Sequence, residues 1–208
     1  MKTLLLFLLL SPASIAETKE NILKQYKDSA LIIFSKKGSG SGFLIKSPFN
    51  SNKYIITNAH VCEMAVNNML KVATNSTSSI VLNARVLKVD KNKDLCALSP
   101  RFTSNKIPSF SLGSKIGDTV FLIGHPRGRY VTITQGELFG FTVAYNNTVW
   151  TSSAYAEPGS SGSMALDEDG KLIGIIFAVY TSNAVNACPN SKSLIIPSSD
   201  VYTFLGDL

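Results

Sequence analysis

Residues 118–124 read DTVFLIG, residues 125–129 read HPRGR, and residues 130–144 read YVTITQGELFGFTVA. Val, Ile, Phe and Thr crowd both outer runs, while Gly and Pro break the join, so the stretch reads as strand, turn and strand. The same texture extends outward on both sides. SALIIFS (29–35), SGFLIKS (41–47), KYIITN (53–58), SIVLNARVLKV (79–89) and DLCALS (94–99) precede it, and KLIGIIFAVYT (171–181) follows. Helical periodicity is weak except just after His60 and over Ser198–Leu208, where Ser and Asp can cap a short amphipathic turn. The pattern is all-β, and strands this short and evenly spaced suggest a sandwich or closed barrels. Pro100–Gly113, rich in Ser, Pro and Asn, reads as a connection between two halves.

Composition agrees with an ordered chain. At 208 residues, with 45% hydrophobic and 16% charged residues, it is long enough for one large domain or two small ones and unlike disordered or collagen-like sequences. Twenty Lys and Arg against 14 Asp and Glu give +6, yet only four of the basic residues are Arg and no dense basic run appears. This balance favours solubility, and no nucleic-acid partner is expected.

Met1–Ala16, MKTLLLFLLLSPASIA, has one Lys, an apolar run from Leu4 to Leu10 and small residues up to Ala16. That layout predicts a secretory signal cleaved between Ala16 and Glu17, with the mature chain covering 17–208. A seven-residue apolar core is too short to span a bilayer, which takes about 20 residues, and no later run is a candidate, so no stable membrane insertion is expected. The mature protein is expected in a periplasm or outside the cell, where disulfides form. Three cysteines, Cys62, Cys96 and Cys188, allow one bridge and one remaining thiol.

Only two histidines are available to a mechanism that uses an imidazole base. His60 ends KYIITNAH, where a strand delivers it to a helical turn; His125 sits in the turn GHPRG. Ser161 lies in EPGSSGS (157–163), where small neighbours suit a nucleophile. There Gly159 can turn the backbone so that the N–H groups of Gly159 and Ser161 converge on one point. Asp94, opening DLCALS, is the chosen acid for the Nδ1–H of His60, with Asp90 as its main competitor.

Chain order excludes rival chemistries. No His follows Ser161, as an α/β-hydrolase needs, and GSSGS lacks the final Gly of its nucleophile elbow. The order Asp, His, Ser of subtilisin would rest on Asp28, the only Asp before His60. Cys62 with His125 lacks a local signature for a cysteine hydrolase. Two His and three Cys without CxxC or HxxxH spacing give no metal site, and no cofactor is called for. His60, Asp94, Ser161 is the order that survives.

TNAHV, DLCAL and PGSSGS resemble the three catalytic blocks of trypsin-like (chymotrypsin-fold) serine proteases. The flanking LIGHPRGRYVTITQGELFG, GKLIGIIFAVY and SLIIPSSDV resemble the HtrA/DegP-type protease domain. The resemblance implies two six-stranded antiparallel β-barrels, about 28–105 and 113–208, with the site in the cleft between them and a short closing helix. It further implies His60 as general base and acid, Asp94 as its orienting partner, Ser161 as nucleophile, and Gly159 with Ser161 as the oxyanion hole. In this fold the segments of Cys62 and Cys96 meet, so a bridge between them would brace the His–Asp pair, leaving Cys188 as a loop thiol. His125 is expected to be structural.

Departures from the family limit what carries over. Ser160 stands where trypsin-type zymogens place the Asp that pairs with a freed N-terminus, so no activation cleavage beyond signal removal is expected. With few residues after the closing helix, no PDZ domain is expected, and its regulated oligomeric behaviour is not assumed. By alignment with the family, Tyr155, Ala156, Phe177, Ala178, Val179 and Ser193 line the pocket for the residue before the scissile bond. No acidic residue stands at its base, which points to small or medium apolar side chains in protein or peptide substrates. Two alternatives are a catalytically silent scaffold acting as a binding module and a narrow-specificity esterase or toxin-like protease.

Overall fold

The computed structural model describes residues 12–208 other than 76, 79, 112, 145, 146 and 180–191, with the backbone alone at 12–15, 178 and 179. Cys188 and residues 1–11 of the expected signal lie outside the described residues.

Alternation along the apolar runs explains how the chain closes. The first six strands are β1 (Ala30–Ser35), β2 (Gly38–Lys46), β3 (Lys53–Thr57), β4 (Met69–Ala73), β5 (Leu82–Asp90) and β6 (Leu95–Leu98). They form a closed antiparallel barrel in the order β1-β2-β3-β6-β5-β4. The next six are β7 (Thr119–Gly124), β8 (Thr132–Ala144), β9 (Asn147–Ser152), β10 (Met164–Leu166), β11 (Leu172–Val179) and β12 (Ser193–Pro197). They close a second antiparallel barrel, β10-β11-β12-β9-β8-β7, so that neither sheet leaves an unpaired edge. This is the architecture that the resemblance implies.

Successive side chains on a strand face opposite ways. Leu44, Ile55, Cys96 and Leu98 therefore fill the first barrel, and Val120, Leu122, Ile173 and Ile195 fill the second. Their neighbours Phe43, Ile45, Ile56, Leu95, Phe121, Ile123, Met164 and Leu166 form a third apolar layer shared by the two barrels. β2, β3, β6 and β7 are thus buried on both faces, which is why they read as unbroken apolar runs rather than alternating ones.

Both terminal helices pack on the second barrel, and the C-terminal one is also tied to the first. Helix α1 (Pro12–Tyr26) buries Ile22 and Tyr26, four residues apart on one face, in the shared layer and packs against β7 and β8 of the second barrel. A one-turn helix α2 (Ala59–Cys62) follows β3. Helix α3 (Ser198–Gly206) buries Val201, Phe204 and Leu205, while Lys88 and Lys93 of the first barrel reach its Asp207 and Asp200 sides at 2.9 and 2.5 Å.

The sequence reading found eight strands and missed β4, β9, β10 and β12. β9, NTVWTS, is rich in polar residues, and β10 has three residues, too few to show a period. Helix α1 leaves no pattern in the sequence, because its first residues belong to the small-residue end of the export pattern and only two positions near its end are buried.

Phe43 is fully buried in the layer that both barrels share. Phe43→Ala is expected to cost about 3–5 kcal/mol. Unfolding in urea followed by both Trp fluorescence and far-UV circular dichroism should stay a single coincident transition, because the lost contacts belong to both barrels.

Candidate active site

Strand β3 ends at Thr57, and Asn58, in extended conformation, turns the chain into α2, which carries His60. β3 pairs with β6, placing Thr57 opposite Cys96, so the residue just before β6 lies beside the base. That residue is Asp94. Its φ of +52° is left-handed, a conformation that costs a non-glycine residue about 1–2 kcal/mol, and the Nδ2 of Asn58 donates to its carbonyl at 3.1 Å. Both carboxylate oxygens are engaged: Oδ1 accepts the His60 backbone N–H at 2.9 Å and Oδ2 lies 2.7 Å from Nδ1. An ionised carboxylate only accepts, so Nδ1 carries the hydrogen and Nε2 keeps a lone pair for another proton. The Asp94 side chain is 12% exposed and that of His60 46%, which turns the imidazole toward solvent from a buried anchor.

Asp90, the competing acid, ends β5 and accepts the Lys93 N–H at 3.0 Å, capping a surface turn. Cys62 and Cys96 form a disulfide that joins α2 to β6, with their Cα atoms 6.5 Å apart. The bridge thus ties the element that carries His60 to the strand that follows Asp94.

Ser161 lies in the loop between β9 and β10, half-buried. The loop is tied on several sides: Gly162 N–H donates to Ile176 at 2.9 Å, Ser163 N–H to Ser160 at 2.9 Å, and the Ser161 carbonyl accepts the Ser41 N–H at 2.8 Å. Gly162 has φ +88°, and a Cβ there would come within 2.0 Å of the Ser41 carbonyl oxygen, so only glycine fits. Strand β2 brings the two halves of the site together. At Gly40 an added Cβ would meet Val61, next to His60, at 2.7 Å and the Ser161 oxygen at 3.4 Å.

The peptide before Gly159 has a fixed direction. The Pro158 carbonyl accepts the Arg127 N–H at 2.7 Å, and in a planar trans peptide the Gly159 N–H then points the opposite way. Among the described residues, neither Gly159 N–H nor Ser161 N–H finds an acceptor within the chain. Two unused donors beside a serine hydroxyl are suited to stabilising negative charge on an oxygen.

Of the pocket residues, Ala156, Phe177 and Ser193 are buried, and Ser193 pairs with Val179 and Ser152 across β12. Ala178 lies in β11 opposite Leu194. Tyr155 is 52% exposed and lines a cavity of about 240 Å³ with Glu157, Ser160 and Ser163. A hydrogen bond to Glu157 raises the Tyr155 pKa above 10, and the Glu157 carboxylate is also paired with Arg127 Nε at 2.7 Å. Sequence reasoning missed Ser41, Asn58, Arg127 and Glu157. The turn GHPRG was singled out for its imidazole, whereas its working contact is the backbone of the next Arg.

The trypsin-like peptidase domain family matches residues 40–175, a span that holds His60, Asp94 and Ser161. The chain belongs to this family. Within the family it resembles HtrA-type protease domains. It is 33% identical over 188 residues to Serine protease Do-like HtrA of Bacillus subtilis, covering 84% of this chain and 40% of that protein. With Protease Do-like 1, chloroplastic, of Arabidopsis thaliana it shares 30% over 163 residues, 73% of this chain and 35% of the relative. The chain therefore spans well under half the length of these relatives. The solved HtrA-type protease AlgW with tripeptide has a TM-score of 0.73 at 21% identity, over 91% of this chain and 64% of that one, a likeness of fold.

Two measurements probe this region. The disulfide closes a loop of 34 residues, so Cys62→Ala with Cys96→Ala should lower unfolding free energy by about 3–4 kcal/mol in guanidinium titration. His125 is fully buried, with Nδ1 2.8 Å from the Arg129 carbonyl. Burial, the larger influence, pushes its pKa below 6.5. The unfolded chain then binds the proton first, so this histidine's contribution is whole above pH 6.5 and is lost as pH falls toward its lowered folded pKa. Tm measured from pH 7.5 to 5 should fall less steeply in His125→Asn than in the wild type.

Proposed function

We propose that this chain is an exported serine endopeptidase that hydrolyses peptide bonds through Ser161, His60, Asp94 and an acyl-enzyme. The observation that carries the reading is the two-point hold of Asp94 on His60, through Nδ1 and the backbone N–H, within a chain of the trypsin-like peptidase family. It leaves Nε2 as the basic nitrogen. Ser161 Oγ adds to the scissile carbonyl carbon while His60 Nε2 takes its proton. The resulting oxyanion accepts from Gly159 and Ser161 N–H. His60 then hands its proton to the leaving amine, and water, deprotonated by the same nitrogen, releases the acyl group and restores the Ser161 hydroxyl.

The substrates are proteins or peptides, with small or medium apolar side chains before the scissile bond contacted by Tyr155, Ala156, Phe177, Ala178, Val179 and Ser193. The AlgW tripeptide supports a peptide-binding role for this fold. Residues 1–16 act as a cleaved signal, and the retained part of α1 keeps both of its buried anchors, Ile22 and Tyr26. Among the described residues no helix is long and apolar enough to cross a membrane. The disulfide suits an oxidising periplasm or exterior. We divide the chain into barrel units near 28–105 and 113–208.

Incubation with a fluorophosphonate, read by intact mass, should give one adduct in the wild type and none in Ser161→Ala. Asp94→Asn should lower kcat on a peptide substrate by about four decades. A folded wild type that takes no label would overturn the reading in favour of a silent scaffold. Ester turnover without casein cleavage would replace the endopeptidase with an esterase.

A further inference from the structure

Ser41, in β2 of the first barrel, is fully buried and makes four hydrogen bonds at the boundary between the barrels. Its N–H donates to the Ser161 carbonyl at 2.8 Å, and its own carbonyl accepts the Thr57 hydroxyl at 2.7 Å. Its side chain works in one direction only. The His125 backbone N–H, 2.9 Å from Oγ, can only donate, so Oγ accepts there and sends its own hydrogen to the Gly159 carbonyl, 2.8 Å away.

This bond matters because of what Gly159 lacks. Glycine visits positive and negative φ about equally, so the loop has no intrinsic preference for the φ of +91° found here. Both peptide planes that flank Gly159 are instead held by other residues, the second of them also within the loop, where the Ser160 N–H donates to the Glu157 carbonyl at 2.9 Å. The Arg127 N–H holds the Pro158 carbonyl, and the Ser41 hydroxyl holds the Gly159 carbonyl. The Gly159 N–H lies in the plane of the Pro158 carbonyl and is aimed by the Arg127 contact; the Ser41 hydroxyl holds the Gly159–Ser160 peptide and the Ser41 N–H the Ser161–Gly162 peptide, so Ser41 brackets the peptide that carries the Ser161 N–H.

We propose that Ser41 is a positioning residue whose side-chain hydroxyl, reaching across the barrel boundary to the Gly159 carbonyl, holds the backbone leading into the Ser161 N–H, one of the two that receive the oxyanion. The inference rests on the proposed function of Ser161. Ser41 touches no reacting atom. Its loss leaves both the His125 N–H and the Gly159 carbonyl without their buried partner, and the peptide that leads into Ser161 keeps only its contacts within the loop.

The test compares wild type, Ser41→Ala, Ser41→Cys and Ser29→Ala by two readouts. Ser29 is an equally buried serine of the same barrel, bonded to the Lys106 carbonyl and Ser104, far in sequence from the nucleophile loop. The first readout is hydrogen–deuterium exchange of residues 155–163, which needs no activity. The second is the rate of fluorophosphonate labelling, with kcat and KM on a peptide substrate. Ser41→Ala should speed exchange in this segment and slow labelling at least about ten-fold, the loss falling on kcat more than KM. Ser29→Ala should lower Tm and leave exchange in 155–163 and labelling as in wild type. Ser41→Cys, close in shape with a weaker donor, should fall between wild type and Ser41→Ala.

Unchanged exchange or unchanged labelling in folded Ser41→Ala overturns the proposal. So does equal slowing by Ser29→Ala, which would reduce the effect to general stability. If Ser41→Ala does not fold, Ser41→Cys is judged by the same criteria; failure of both to fold overturns the proposal, since a loop-positioning hydroxyl is not required by either barrel's core. A wild type that takes no label overturns the reading of Ser161, and the exchange readout still decides whether Ser41 orders the loop.

Discussion

The apolar layer between the barrels is the contact on which the working face depends. Phe43, Ile45 and Ile56 on one side meet Phe121, Ile123 and Met164 on the other. This contact brings β2 to the loop that carries Ser161. Polar bonds such as Ser41 to Ser161 cannot assemble the halves alone, because each is worth only about 1 kcal/mol net. Burial at about 25 cal/mol per Å² drives the association, and hydrogen bonds then select one register within it.

Within that frame the site divides its work between rigid and permissive backbone. His60 rides on a helical turn clamped to β6 by a disulfide, and Asp94 holds it by two oxygens from a left-handed residue. The serine loop has the opposite character. Gly159 and Gly162 occupy φ values that glycine tolerates, and neighbouring strands and turns hold them in place. The first half encodes its geometry in side chains, the second in backbone direction.

That difference also decides what could be read from the sequence. Strands buried on both faces, such as β2, β3 and β7, appear as runs of Ile, Leu and Phe, and β1 and β6 are as plain. β8, with one face toward solvent, was legible through Thr and Val; β9 was hidden by polar residues and β10 by its shortness. His60 and Asp94 were legible because side-chain chemistry marks them, and the structure places them in contact. Ser41 and the Arg127 N–H were not, since one is a serine in the run GSGSG and the other acts through its backbone, which has no letter in a sequence.

The seating of both terminal helices on the second barrel has a consequence for the order of synthesis. Helix α1 is made before the strands, yet its seat for Ile22 and Tyr26 is formed with β7 and β8 of the second barrel; α3 follows the strands, packs on β11 and β12 and is tied to the first barrel by Lys88 and Lys93. A chain emerging from its N-terminus therefore keeps two apolar side chains waiting until more than half of it has been made. All six strands of the first barrel are made by Leu98, but the apolar layer that Phe43, Ile45 and Ile56 offer stays open until β7 and β10 follow, so shorter chains expose it.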